Sequence, residues 1–86
     1  MDLTTARHAF ITGGASGIGL GIAGALASRG IAVTIADINE EALAEVVAGR
    51  GNSFRAVLLD TRDRAGWQRA KADAEGVFGP VDILVN

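Results

Sequence analysis

The residues whose types and spacing best predict chemistry form the stretch Thr12-Gly13-Gly14-Ala15-Ser16-Gly17-Ile18-Gly19. A short apolar run precedes this stretch, and an apolar segment with helical periodicity follows it. Glycines allow the main chain to turn sharply and to approach an anion without a Cβ in the way. A helix that starts here directs its free N–H groups and the positive end of its dipole at the same place. The stretch therefore predicts a phosphate-binding turn.

A literal G-x-G-x-x-G also occurs, over residues 19–24, but it lies inside the predicted first helix. The dinucleotide fingerprint begins directly after a strand, so we assign the last two glycines of this match to helix packing. No Gly-Lys-Ser/Thr follows the glycines, which argues against a P-loop. The frame that spans the strand-to-helix turn is T-G-x-x-x-G-x-G, from Thr12 to Gly19.

Two acidic residues follow predicted strands. Asp37 comes 18 residues after Gly19, near the roughly 20 residues expected for an acid that hydrogen-bonds the adenosine ribose. A carboxylate there accepts from two ribose hydroxyls and repels a 2′-phosphate. Asp60 closes the next predicted strand and is followed by Thr61. These positions predict polar groups at the same edge of a sheet as the glycine turn.

The elements that position these residues follow the order β-α-β-α-β-α-β. Strands are predicted near residues 7–12, 31–36, 53–59 and 81–86, and helices over 17–29, after Asn39, and over 63–77. Continuous apolar strands are typical of a parallel sheet, and right-handed crossovers predict a doubly wound, Rossmann-type α/β sheet of order 3-2-1-4. Half of one sheet face and the edge of the fourth strand would lie bare, so residues 1–86 are expected to form a partial dinucleotide-binding domain. His8 is expected to be a partly exposed strand-end residue.

Composition narrows the class of protein. The 86 residues are 49% apolar and 21% charged, which is typical of a globular chain. A net charge of −2 gives no basis for binding nucleic acid or an anionic membrane, and no apolar run approaches the ~20 residues that span a bilayer. The chain contains no Cys, and from residues 1–7 we expect no signal peptide. We expect no metal site and a cytoplasmic location.

The glycine frame resembles the cofactor fingerprint of the short-chain dehydrogenase/reductase family, in its N-terminal, cofactor-binding half. The acids closing the second and third strands match in register, as does the segment Gly-Pro-Val-Asp-Ile-Leu-Val-Asn at residues 79–86. The resemblance covers essentially the whole chain. It implies a cofactor-binding role for Gly13, Ser16, Gly17, Ile18, Gly19, Asp37, Asp60, Thr61 and Asn86.

The resemblance also indicates which cofactor to expect. Relatives that prefer NADP usually carry Arg or Lys just before the second motif glycine or just after the acid of the second strand. Those positions are Ser16 and Ile38 here, so NAD is favoured over NADP. Asp60 is expected to accept from the adenine amino group. Thr61 is expected to contact adenine, and helix capping is the alternative for this pair; Thr61 could serve both purposes, and the residue that caps the third helix is left open.

Hydride transfer in that family uses a Ser, a Tyr and a Lys, the last two spaced Y-x-x-x-K. This chain contains no Tyr, and its only Lys is Lys71, so we predict no catalytic residue in these 86 residues. The parent is expected to be a homo-oligomeric (dimeric or tetrameric) NAD-dependent oxidoreductase acting on an alcohol or carbonyl substrate. Alternatives are a stand-alone nucleotide-binding module, an inert truncated product, and an S-adenosylmethionine-binding Rossmann domain, which rarely carries this glycine frame.

Overall fold

A computed structural model describes residues 7–15 and 17–86. These ranges contain β1 (His8–Thr12), α1 (Gly17–Ala27), β2 (Ala32–Asp37), α2 (Glu40–Val47), β3 (Phe54–Leu58), α3 (Arg64–Phe78) and β4 (Ile83–Val85). The strands pair in parallel in the order β3-β2-β1-β4. The predicted α/β fold, its element order and its 3-2-1-4 strand order are confirmed.

Strand β1 lies between β2 and β4 and sets the register of the sheet. Thr12 at its end lies opposite Ala36 of β2, and Ile11 lies opposite Val85 of β4. Because all the pairings are parallel, the carboxyl ends of the strands meet at one edge. That edge is where open α/β sheets bind ligands.

Helices α1 and α2 cover one face of the sheet, and α3 covers part of the other. The core on the first face consists of Ile11, Ala15, Ala23, Val33, Ile35, Leu43, Val46 and Phe54. The core on the second face consists of Phe10, Ala36, Leu59, Ala70 and Ala74. Across residues 7–15 and 17–86, none of the helices combines the length and the apolar character that a membrane span requires.

The sheet face beside α3 remains partly uncovered, as the element count predicts. Leu84 of β4 is 57% exposed. A hollow of about 380 Å³ opens next to it, lined by Phe10, Trp67, Lys71, Val81 and Leu84. The second face is therefore only half packed in the described part of the chain.

The residues predicted to terminate α1 and to begin α2 both have the expected conformations. Helix α1 ends at Ala27 rather than near Arg29, and Gly30 then adopts a φ of +82°, the left-handed conformation of a helix-terminating glycine. Helix α2 begins after Asn39, whose side-chain oxygen accepts from the N–H of Ala42 at 3.0 Å. The predicted Asn39 cap is confirmed.

His8 is fully buried, so the prediction of a partly exposed residue is wrong. One ring nitrogen, Nδ1, lies 2.9 Å from the carbonyl of Gly79, which can only accept, so Nδ1 carries the proton. In the neutral ring Nε2 then accepts from the Thr34 hydroxyl at 2.8 Å. The ring forms a T-shaped pair with the ring of Phe78, with centroids 5.2 Å apart. The α3–β4 connection thus folds over the start of β1 and covers it.

Asp82 fastens the start of β4 to the start of β1. Its Oδ2 accepts from the backbone N–H groups of Arg7 at 2.8 Å and His8 at 3.0 Å. These two bonds hold the pKa of the Asp82 carboxyl below its ordinary value. Asp82 therefore has a structural role at the edge of the sheet opposite the glycine turn.

Replacing the His8 ring tests the role of its buried hydrogen bonds. His8→Phe keeps an aromatic ring but leaves the Thr34 hydroxyl and the Gly79 carbonyl without this partner. We expect the free energy of unfolding in urea to fall by about 1–3 kcal/mol. Glu45→Gln, at an exposed position of α2, should change it by less than about 0.5 kcal/mol. Equal stability of His8→Phe and the unsubstituted chain would contradict a stabilising role for these two hydrogen bonds.

Candidate functional site

The turn between β1 and α1 is held against β2. The N–H groups of Gly13 and Gly14 both donate to the carbonyl of Ala36, at 2.8 and 3.3 Å. Gly13 and Gly17 adopt φ values of +65° and +59°, a conformation that residues with a Cβ rarely adopt. The backbone itself therefore requires glycine at both positions.

Two further glycines are required by close contacts. A Cβ at Gly19 would collide with the carbonyl oxygen of Gly13, so α1 starts in direct contact with the turn. A Cβ at Gly14 would lie 2.7 Å from Cγ2 of Ile35 in β2. Gly19 was predicted from the sequence as a site residue, and Gly14 was not. The sequence shows two adjacent glycines, but it does not show that Gly14 lies against Ile35 of another strand.

The start of α1 has the properties of an anion-binding end. Its first turn contains no acidic side chain, so the positive end of the helix dipole is not offset there. Ile18 is 84% exposed, and its predicted contribution is through its main-chain N–H. Ser16, also predicted to bind cofactor, lies outside the described residues, and its role stays a prediction.

Asp37, at the end of β2, connects the glycine turn to the start of α2. Its Oδ2 lies 3.4 Å from the N–H of Ala15, which donates to it, and its Oδ1 accepts from the N–H of Asn39 at 3.1 Å. A carboxylate has about four lone-pair positions. These two donors orient the half-buried group and leave acceptor capacity for hydroxyl groups.

Asp60, after β3, is held by Arg62. Oδ1 of Asp60 accepts from the backbone N–H and from Nε of Arg62, both at 3.0 Å, and Oδ2 accepts from Nη2 at 2.8 Å. The side-chain bonds, followed by the backbone bond, lower the pKa of Asp60 from 3.8 to about 2. The pKa of Arg62 is raised in turn. Arg62 was not among the site residues predicted from the sequence; its spacing from Asp60 permits this contact but does not require it.

Thr61 does not cap α3. Asp63 does, accepting from the N–H of Gly66 at 3.0 Å. The carbonyl of Thr61 instead accepts from Nε1 of Trp67 at 3.0 Å. The connection from Asp60 into α3 is therefore held at several points, and the Thr61 side chain is left exposed.

Asn86 follows β4 and lies beside the end of β1. The hydroxyl of Thr12 lies 3.2 Å from Oδ1 of Asn86 and 3.3 Å from the carbonyl of Val85, and can donate to either oxygen. This contact places the amide of Asn86 at the same edge as the glycine turn.

A cleft of about 470 Å³ opens at this carboxyl edge. It brings together five of the nine residues predicted from the sequence, namely Gly13, Asp37, Asp60, Thr61 and Asn86. The other residues that line it are Thr12, Ile38, Leu59 and Arg62. Gly17, Ile18 and Gly19 do not line the cleft; they form the first turn of α1, at the far end of the glycine turn.

The cleft combines three kinds of recognition. Two carboxylates can accept from hydroxyl or amino groups, apolar Ile38 and Leu59 suit a flat ring, and the adjoining glycine turn and helix end suit a phosphate. Over residues 7–15 and 17–86, no group of three or more His, Asp or Glu side chains is placed to hold a metal ion. The arrangement therefore suits binding of a phosphorylated nucleoside.

Comparisons with known proteins agree with this chemistry. The sequence model described as short chain dehydrogenase matches residues 7–86. Oxidoreductase UcpA of Salmonella typhimurium is 43% identical over an alignment of 88 positions, which covers 100% of this chain and 34% of the relative. The 2,3-dihydro-2,3-dihydroxybenzoate dehydrogenase of Bacillus subtilis is 43% identical over 83 residues, covering 93% of this chain and 32% of that enzyme.

A solved structure shows the same fold with a cofactor. The short chain dehydrogenase/reductase of Burkholderia phymatum, crystallised in complex with NAD, superposes with a TM-score of 0.88 at 33% sequence identity. The match covers 98% of this chain and 31% of that one. The chain thus spans about a third of the length of the proteins it matches.

Adding a single methyl group at two helix glycines tests the close approach of α1. Gly19→Ala should lower the free energy of unfolding by about 1–3 kcal/mol, because the Cβ collides with the Gly13 carbonyl. Gly21→Ala is the matched control, since its Cβ meets no atom within 4 Å. It should raise stability by up to about 1 kcal/mol through helix propensity. Urea unfolding that shows the same sign for both variants would contradict the packing.

Removing the Arg62 guanidinium tests the cause of the low pKa of Asp60. In Arg62→Met this pKa should rise from about 2 toward 3.8, as followed by carbon NMR of the carboxyl during acid titration. A pKa that is lowered in the folded state stabilises the fold above pH 3.8, and this stabilisation is lost as the pH falls toward about 2. The variant should therefore lose less stability across that window. An unchanged pKa would refute the assignment.

Proposed function

This chain belongs to the short chain dehydrogenase family, and from that premise we propose that it holds the adenosine diphosphate part of NAD in an oxidoreductase. The observation that carries the proposal is the cleft in which Gly13, Asp37 and Asp60 meet at the carboxyl edge of the sheet. In the parent protein, the bound nicotinamide would accept or donate a hydride. The residues described here would bind the cofactor and orient it.

The glycine turn fits a pyrophosphate. Gly13 and Gly17 have positive φ values, and Gly19 brings α1 against the turn with no space for a side chain. A main chain free of Cβ atoms can come close to phosphate oxygens. The first turn of α1, with the predicted contact at Ile18, would supply N–H donors. The contact at Ser16 is a prediction from the sequence.

The end of β2 favours NAD over NADP. The remaining lone pairs of Asp37 suit the two ribose hydroxyls, and its negative charge opposes a 2′-phosphate. Ile38, next in sequence, lines the cleft without a charge. Arg62 does carry a positive charge at the cleft, but its guanidinium is paired with Asp60. The relative crystallised with NAD supports a nicotinamide dinucleotide as the cofactor.

The reaction itself needs residues that these 86 do not include. The chain has no Tyr, and Lys71 lies on α3, so the acid–base groups that the family resemblance implies must come from elsewhere in a longer parent. An alcohol or carbonyl substrate, a homo-oligomeric assembly and a cytoplasmic location belong to the proposal on the same basis. We expect no dehydrogenase turnover from the 86 residues alone.

The second candidate function is a stand-alone nucleotide-binding module. It is favoured by the cleft, which is formed entirely within the described residues. A coding sequence that continues Asn-Ala-Gly after Asn86 and later reads Tyr-x-x-x-Lys would support the oxidoreductase. An intact cellular product with the mass of this chain, 8.8 kDa, would support the module.

Substitution of Asp37 tests cofactor choice. Asp37→Ala removes the charge that opposes a 2′-phosphate and the acceptors for the ribose hydroxyls. The ratio of NAD to NADP affinity, measured by calorimetry, should fall by about tenfold or more. Ile38→Arg should move the ratio in the same direction by adding a cation for the phosphate.

The matched control for Asp37→Ala is Asp73→Ala, which makes the same change of net charge at an exposed position of α3. It should leave the NAD to NADP ratio unchanged. An Asp37→Ala protein that keeps the NAD to NADP affinity ratio of the unsubstituted protein would show that Asp37 is not the ribose ligand.

A further inference from the structure

Arg62 is an exposed side chain that bonds one carboxylate through two of its nitrogens. Its side chain is 84% accessible, yet Nε and Nη2 both reach the carboxylate of Asp60, at 3.0 and 2.8 Å. Exposed ion pairs of this kind contribute little to stability. The position of the pair, in the lining of the cofactor cleft, suggests a role in binding rather than in folding.

The bonds from Arg62 limit what Asp60 can still accept. Of about four lone-pair positions on a carboxylate, Arg62 occupies two on Oδ1 and one on Oδ2. About one position remains, on Oδ2. The low pKa of Asp60 keeps the group ionised, and therefore acceptor-only, across the physiological range. Asp60 thus presents a single fixed acceptor for a donor on a ligand.

We propose that Arg62 is a positioning residue that makes the cleft select a 6-amino purine over a 6-oxo purine. The inference rests on the proposed function and deepens it. A 6-amino group donates to the fixed Oδ2, whereas a 6-oxo group presents a second acceptor, which the carboxylate repels.

Loss of the Arg62 guanidinium weakens this selection. The backbone N–H of residue 62 still bonds Oδ1 of Asp60, but Oδ2 loses its bond from Nη2, so a bond to the 6-amino group has to order that oxygen again. Arg62→Lys keeps the positive charge but loses the planar pair of donors that holds both oxygens. Selection should therefore depend on the guanidinium and not on charge alone.

The test measures the affinity of the 86-residue chain for NAD and for nicotinamide hypoxanthine dinucleotide by calorimetry. The two ligands carry the same charge, so their affinity ratio cancels general electrostatic effects of a substitution. The unsubstituted 86-residue chain should prefer NAD by about tenfold or more, the size expected for one hydrogen bond to a charged group. Arg62→Met and Arg62→Lys should each reduce that preference to about threefold or less. Arg64→Met, in the first turn of α3, should keep the affinity ratio of the unsubstituted chain.

The outcomes separate this inference from the function on which it rests. If both Arg62 variants keep the NAD preference of the unsubstituted chain, the role of Arg62 is overturned and NAD binding is left intact. An equal affinity of the unsubstituted chain for the two dinucleotides also overturns that role. If the unsubstituted chain binds neither dinucleotide, the proposed function fails and the inference fails with it. Circular dichroism confirms folding, and Arg62→Lys decides the question if Arg62→Met does not fold.

Discussion

The site depends on the continuation of β1–β2 pairing beyond the end of β1. The carbonyl of Ala36 accepts from the N–H groups of both Gly13 and Gly14, so the glycine turn is an extension of the sheet. This places the turn beside Asp37, the residue that follows Ala36. Parallel pairing of β3 with β2, and of β4 with β1, then brings Asp60 and Asn86 to the same edge. Without this register, the polar groups of the cleft would not converge.

Much of the fold and half of the cleft could be predicted because their signals are local. A glycine requirement, an apolar strand and an acid at a strand end each occupy a few adjacent residues. Parallel topology then places the ends of strands together by a general rule, without knowledge of any side-chain contact. This is why Gly13, Asp37 and Asp60 were expected at one edge, and the cleft contains all three. Asn86, which also lines the cleft, was expected from the family resemblance alone.

The features that were not predicted are of two kinds. Some depend on contacts with residues distant in sequence, and one depends on which of several nearby groups a side chain bonds. His8 is buried because Gly79 and Thr34, 71 and 26 residues away, bond to its ring. Gly14 is required by Ile35 on another strand. Arg62 is close to Asp60, but its side chain had other possible directions, and only the three-dimensional structure shows the pairing.

The most direct test of the proposed function is a titration of the ¹⁵N-labelled chain with ADP-ribose, followed by amide NMR. Binding at the carboxyl edge predicts saturable shifts of Gly13, Gly17 and Ile18, and of the amides around Asp60. The amide of His8, at the opposite edge of the sheet, should not move. The absence of saturable shifts, or shifts centred on His8, would contradict binding of the adenosine diphosphate group in this cleft.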